Sequence, residues 1–205
     1  MIIWLNGAFG AGKTTTATEL AGTMPSARLF DPEMVGYLLM EYLKDHDFYD
    51  FQELPAWRTL VPAVTNEIAR FTGQHLIATQ AVLNESYWKE LQQGFKQHSL
   101  EVFHVVLDVD TEILARRIKG GELEQTASQW RLDHIRDYAA ARPWMVASAD
   151  LLVDSTSSPV ADVARSVLRA IHPPVRLGNV RSWPIRRLRI SSASTWFLCS
   201  PAICS

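Results

Sequence analysis

Cysteine is nearly missing from this 205-residue chain: only Cys199 and Cys204 occur, both near the C-terminus. That excludes a disulfide scaffold, and two thiols alone make a weak metal site. The six histidines are scattered, with no metal-ligand spacing. No run of about 20 apolar residues exists, so no transmembrane helix is expected. The opening segment, Met1 to Gly7, has no basic stretch ahead of its apolar residues. A cleaved signal peptide is therefore not expected, and the cytoplasm is the expected compartment. Charged residues are 20% of the chain against 47% apolar, which excludes global disorder. The length suits one α/β domain with a large core.

Acid is missing from one end. All 22 acidic residues lie in 1–162, against 13 basic ones, whereas 163–205 holds seven arginines and no acid. An acidic body with a basic tail speaks about partners and leaves the fold open.

Apolar runs at Ile2–Leu5, Ala27–Phe30, His75–Ala78, Val102–Leu107 and Leu151–Val153 read as short strands. Helical spacing or composition covers Thr14–Met24, Glu33–Leu43, Thr59–Phe71, Ser86–Phe95, Thr111–Ile118, Trp130–Arg142 and Val160–Ile171. Asp110 is placed to cap the fifth helix, Pro143 to stop the sixth, and Gly120–Ser128 reads as a polar, mobile loop. Strands alternating with helices predict right-handed βαβ units, hence an α/β fold with a five-stranded parallel sheet of order 2-3-1-4-5 and helices on both faces. The composition shifts after Pro174, so the domain is expected over 1–174 and a flexible basic tail over 175–205.

The most informative segment is Gly7-Ala8-Phe9-Gly10-Ala11-Gly12-Lys13-Thr14, a full match to the Walker A pattern G-x-x-x-x-G-K-[ST], with a strand before it and a helix after it. Glycines let successive backbone N–H groups curl around phosphate oxygens, and the helix points its positive end at the same place. Lys13 would reach the β- and γ-phosphates, and Thr14, followed by Thr15, would offer a hydroxyl to Mg²⁺. The expected cofactors are ATP and Mg²⁺.

Asp31 ends the second strand, where a carboxylate can orient or deprotonate an acceptor hydroxyl; it can equally cap the helix that starts at Pro32. Glu33 can share that work. The third strand ends in Thr79-Gln80 without a carboxylate, so the usual metal-holding acid is missing there. Asp108, after the fourth strand, is either a substitute or a turn residue. Arg116, Arg117, Arg131 and Arg136 flank the polar loop, which can act as a lid. Arg117 and Arg131 are candidates for neutralising transition-state charge, or they are solvated surface groups. Asp154-Ser155-Thr156 lies either beside a nucleotide base or at a helix cap. Phe48, Tyr49, Phe51 and Trp57, interleaved with Asp45, Asp47 and Asp50, either stack an acceptor or join the core.

The block MIIWLNGAFGAGKTTTATEL, the segment LFDPEMVGYLL and the helix from Trp130 resemble the tunicamycin resistance protein family, over about residues 1–170. That family sits among the P-loop kinase-like proteins, beside gluconate, shikimate and chloramphenicol kinases. The resemblance implies ATP binding at Gly7, Gly12, Lys13 and Thr14 and, by the related antibiotic kinases, Asp31 as base. It implies a small-molecule partner, tunicamycin or a similar nucleoside-like compound. Resistance would arise by phosphoryl transfer to a hydroxyl or by ATP-dependent sequestration. A metabolic kinase for an unrelated hydroxyl compound is the plainer alternative. Trp183, Ile185, Leu188 and Ile190 among Arg186, Arg187 and Arg189 suit peripheral contact with an anionic membrane. Nucleic-acid binding is not expected, because the acidic body repels it.

Overall fold

The structure, a computed structural model, describes residues 1–120 and 125–172. Five parallel strands, β1 (Ile2–Gly7), β2 (Ala27–Phe30), β3 (His75–Thr79), β4 (Val102–Asp108) and β5 (Leu151–Asp154), form one sheet in the order β2-β3-β1-β4-β5, as the alternating pattern predicts. All six residues of β1 are buried, as a central strand covered on both faces requires. Its register pairs Ile3 with Ile77 on one side and with Phe103 on the other.

Helices α1 (Lys13–Thr23), α2 (Glu33–Tyr42), α3 (Pro55–Thr72), α4 (Glu85–Gln97), α5 (Thr111–Gly120), α6 (Gln125–Ser148) and α7 (Val160–Ile171) cover the sheet. The two-residue period of the strands divides the core. Ile3, Leu5, Ile77 and Val153 pack with Ala17 and Leu20 of α1 and Val163 and Val167 of α7. Ile2, Trp4, Leu76 and Ala78 pack with Trp57 and Val61 of α3 and Trp88, Leu91 and Phe95 of α4.

Three expectations need correction. Pro143 does not stop α6, which runs on to Ser148. Pro143 and Ala139 are both exposed, so the Ala139 carbonyl left without an intrahelical donor meets water. The polar segment expected as a loop over 120–128 is shorter: α5 reaches Gly120 and α6 starts at Gln125. Polarity alone does not forbid a helix, and 125–148 contains no glycine. Finally, α3 starts at Pro55 rather than Thr59, because proline suits the first helical turn. Its second proline, Pro62, is buried where α4 presents Gly94; a Cβ on Gly94 would lie 2.7 Å from Pro62 Cγ.

The tail 175–205, with its expected membrane contact, lies outside the described residues. Among the described residues, no helix is long and apolar enough to cross a membrane.

Candidate nucleotide and acceptor site

Connections leave β1 towards β2 and β3 on one side and towards β4 and β5 on the other, so the carboxyl end of β1 is the switch point of the sheet. The segment Gly7–Thr14 emerges there. Gly7, Gly10 and Gly12 take φ of 137°, 83° and 89°, a region that L side chains rarely adopt. A Cβ on Gly7 would sit 2.6 Å from the Leu107 carbonyl oxygen, so β4 leaves no room for one.

Asn6 fixes the root of the loop. Its Oδ1 accepts from the N–H groups of Gly7 (2.9 Å) and Val82 (3.0 Å), and its Nδ2 donates to the Val82 carbonyl (3.2 Å). In the sequence Asn6 marks only the end of the first apolar run. An asparagine just before the first glycine is the signal that could have revealed this role.

Lys13 Nζ donates back to the carbonyls of Ala8 (2.8 Å) and Gly7 (3.1 Å) and lies 5.4 Å from the Phe9 ring centroid. The ammonium is thus held over the loop, where phosphate oxygens would be stronger, charge-assisted acceptors. Thr14 and Thr15 are exposed in the first turn of α1, whose free N–H groups add positive potential.

A cleft of about 640 Å³ opens at this point. Phe9, Gly10, Gly12, Lys13, Thr14 and Thr15 line one part. On the β2–β3 side its walls are Asp31, Glu33 and Tyr37, then Asp50, Phe51 and Gln52, then Thr79, Gln80 and Ala81. Arg117 reaches it from the β4–β5 side.

Asp31 closes the turn into α2 and also borders the cleft. Its Oδ1 accepts the Glu33 N–H at 2.9 Å, and its exposed carboxylate still lines the cleft. Trp57 Nε1 donates to the Pro32 carbonyl (3.0 Å), which locks the entry of α2 to α3. Glu33 accepts from the Tyr37 hydroxyl (3.0 Å), and that bond to a carboxylate raises the Tyr37 pKa. Among the aromatic candidates, Trp57 is fully buried core, Phe51 lines the cleft, and Tyr49 is exposed. Asp45 and Asp47 are exposed, whereas Asp50 enters the cleft. Burial pushes the Asp50 carboxyl up, partly offset by the Gln52 N–H that it accepts at 2.8 Å.

Three elements decide how the far walls stand. Arg58, buried in α3, donates to the Gln52 carbonyl, pairs with Glu90 (2.6 Å) and lies 4.3 Å from the Tyr87 ring centroid. Gln52 Nε2 donates to the Ala81 carbonyl (3.1 Å), tying the 3₁₀ turn Phe51–Glu53 to the segment after β3. Gln80 is buried, and its Oε1 has no hydrogen-bond partner among the described residues. In the sequence Gln80 stands out only as the neutral residue where β3 would otherwise end in a carboxylate.

Asp108 is engaged by α6 and is not among the residues that line the cleft. Its Oδ1 accepts from Tyr138 (2.6 Å) and Arg142 Nε (2.9 Å), and its Oδ2 from Arg142 (2.6 Å), which docks α6 on β4. The Arg142 guanidinium holds the Asp108 carboxyl below its usual range. Arg117 donates to the carbonyls of Ser155 (2.7 Å) and Thr156 (2.8 Å). Ser155 Oγ in turn donates to the Ala11 carbonyl (3.2 Å), so the turn after β5 is stitched to the phosphate loop. Asp154 accepts from the Thr156 N–H (2.8 Å); it closes its own turn and does not cap α7, which starts behind Pro159 without a side-chain cap. Asp110 caps α5 as expected, accepting from Glu112 and Ile113. Arg116 and Arg136 are exposed. Arg131 falls within α6, and its side chain lies outside the described residues.

Hard oxygen donors suit Mg²⁺, which usually binds phosphates, waters and one or two protein oxygens. The Thr14 hydroxyl and the Asp31 and Asp50 carboxylates line one cleft, so the donor chemistry fits. Among the described residues, no group of three or more His, Cys, Asp or Glu side chains forms an all-protein metal site.

No curated protein matches the chain in sequence. Among solved structures, the tunicamycin resistance protein of Deinococcus radiodurans is similar over 83% of this chain and 94% of its own length, with 24% identity and a TM-score of 0.62. A gluconokinase from Sinorhizobium meliloti is similar over 83% and 90% (15% identity, TM-score 0.57). A shikimate kinase from Acinetobacter baumannii, solved in complex with shikimate, is similar over 83% and 92% (20% identity, TM-score 0.53). These likenesses establish a P-loop kinase-like fold and agree with the resemblance read from the N-terminal block. The sequence profile of the family described as AAA domain matches residues 2–145, and the chain belongs to that family.

Proposed function

We propose that the protein binds ATP at Gly7–Thr15 and confers tunicamycin resistance by transferring the γ-phosphoryl group to a hydroxyl of that antibiotic or of a similar nucleoside-like compound. The observation that carries this reading is one cleft that joins the phosphate loop to the Asp31 carboxylate. The similarity to the Deinococcus tunicamycin resistance protein and to two small-molecule kinases supports it.

In this reading the loop amides, Lys13 and the α1 N-terminus hold the β- and γ-phosphates. Mg²⁺, held by Thr14 and the phosphates, would neutralise charge on them. Asp31 orients the acceptor hydroxyl and takes its proton as the oxygen forms its bond to the γ-phosphorus. The bond from that phosphorus to the β–γ bridging oxygen breaks, and ADP leaves. Arg117, with Arg131 of the lid, neutralises charge on the transferring group. The turn at Ser155–Thr156, clamped by Arg117, borders the nucleotide base.

The test is mass spectrometry of tunicamycin incubated with the protein, ATP and Mg²⁺. A gain of one phosphate is expected with the native chain and none with Lys13→Ala or Asp31→Asn. Unmodified drug retained in an ATP-dependent complex would replace transfer by sequestration. Neither gain nor retention would leave a kinase for another hydroxyl compound.

A further inference from the structure

A second chamber of about 230 Å³ adjoins the cleft, and Phe9, Asp50, Gln52 and Ala81 border both spaces. Beyond it, an open groove of about 480 Å³ follows the seam between the start of α4 and α6. Leu83, Asn84 and Asp137 border chamber and groove alike. The three spaces lie end to end, from the phosphate loop to Trp144.

Two helices build this path. On α6, His134, Asp137, Ala141 and Trp144 recur three and four residues apart and so share one face, with Ala140 beside them. Ala140 and Ala141 project only methyl groups, which keeps the seam open between Asp137 and Trp144. On the α4 side, Asn84 accepts from the N–H groups of Ser86 and Tyr87 and fixes the first turn. The Arg58 guanidinium, 4.3 Å from the Tyr87 ring centroid, holds that ring at the chamber wall.

Rings and aliphatic groups recur along the path. Phe9 stands at its entrance, with the His134 ring edge-on at 5.5 Å and Lys13 Nζ 5.4 Å from its centroid. Tyr49 borders the chamber and is 74% exposed. Trp144 packs against both halves of the core and still borders the groove. Glu53, Glu85 and Asp137 are exposed, so their charges stay solvated. Apolar surface in such a recess gains free energy when a ligand covers it. Asp31 lines the first cleft and neither of the further spaces, so a one-ring acceptor at Asp31 has no use for them.

We propose that the seam between α4 and α6 is a second acceptor subsite, which takes an apolar or aromatic extension of a molecule whose hydroxyl lies at Asp31. This rests on reading the cleft as the acceptor site of a phosphotransferase and adds where the remote part of the acceptor binds. Contacts made there hold the hydroxyl in place for transfer.

The experiment is calorimetric titration of the full chain, loaded with Mg²⁺ and AMP-PNP, with two pairs of probes. One pair is N-acetylglucosamine and its p-nitrophenyl glycoside; the other is uridine and tunicamycin. In at least one pair the extended member is expected to bind at least about tenfold tighter than the single ring. Ala140→Trp fills the groove from an exposed helical position and should abolish that advantage. Ala140→Leu serves if the first variant fails to fold, and Ala140→Ser should bind as the native chain does. AMP-PNP affinity and single-ring affinity should stay unchanged in all three.

Extended probes that bind no tighter than single rings in both pairs would overturn the inference. So would an advantage that survives Ala140→Trp, or no probe binding to a chain that takes up AMP-PNP. Phosphoryl transfer without any advantage of length would remove this subsite and keep the phosphotransferase reading. An Ala140-sensitive advantage without transfer would keep the subsite and remove that reading.

Discussion

Asn6 Nδ2 lies 3.3 Å from His104 Nε2, joining the buried interiors of β1 and β4. An amide N–H can only donate there, so Nε2 is the accepting nitrogen of a neutral ring. The proton sits on Nδ1, which donates to the Ser148 carbonyl at 3.2 Å. The ring also lies against Trp88, with centroids 4.2 Å apart. Burial pushes the His104 pKa down to about 4. In the unfolded chain the same ring titrates near 6.5. Between those values the unfolded state binds the extra proton, so stability is complete above about pH 6.5 and falls as the pH drops towards 4. The loss is of order 3 kcal/mol at pH 4. Urea unfolding at pH 7, 5.5 and 4.5 should show this slope, and His104→Gln should flatten it.

Removing Asn6 should be costly for a different reason. Asn6→Ala strands the N–H groups of Gly7 and Val82 and the His104 ring nitrogen, all buried. We expect a loss of roughly 3 kcal/mol by urea unfolding and weaker nucleotide binding by fluorescence titration. Unaltered stability would mean that water replaces all three partners.

Two glycines of one motif should respond differently. Gly7→Ala meets the Leu107 carbonyl at 2.6 Å and should cost about 3 kcal/mol or more. Gly12→Ala has open space within 4 Å and faces only the penalty of φ 89°, about 1 kcal/mol. Thermal melts of the two variants should rank them in that order.

The Asp108 cluster is structural. Tyr138→Phe removes a 2.6 Å hydrogen bond to a carboxylate and should lower stability by roughly 2 kcal/mol. Asp108→Asn should likewise destabilise, while the Mg²⁺ concentration giving half-maximal transfer stays as in the native protein. A shifted Mg²⁺ requirement would return Asp108 to the metal site.

Gly36 of α2 faces the ring of Phe51, and a Cβ there would lie 2.5 Å from Phe51 Cγ. Gly36→Ala should displace Phe51 and the neighbouring wall at Asp50 and Gln52. The expected result is a several-fold rise in the acceptor KM with the ATP KM unchanged, at a stability cost of about 1–3 kcal/mol.

Much of this architecture is legible in the residue order. The apolar runs beginning at Ile2 and Val102 could only be central strands, and Gly7–Thr14 declares its loop because three glycines must adopt backbone that other residues avoid. The position of Asp31 after β2 follows from strand order. Asp50 and Gln52 were not legible as neighbours of Gln80, because 28 residues separate Gln52 from Gln80 and the two segments are joined through the Gln52–Ala81 bond. Nor could the sequence choose between the two readings of Asp108, since the choice depends on Arg142, 34 residues away on a helix expected to stop at Pro143.

By itself, then, the sequence determined the strands, the phosphate loop and the helix that follows it, because those depend on local backbone preference and apolar periodicity. Only the tertiary structure decided which carboxylates face the cleft, which are consumed in holding helices, and which buried amide is left open. Those outcomes depend on pairings across the sheet and between helices, and hydrogen-bond partners far apart in the chain carry no local signature.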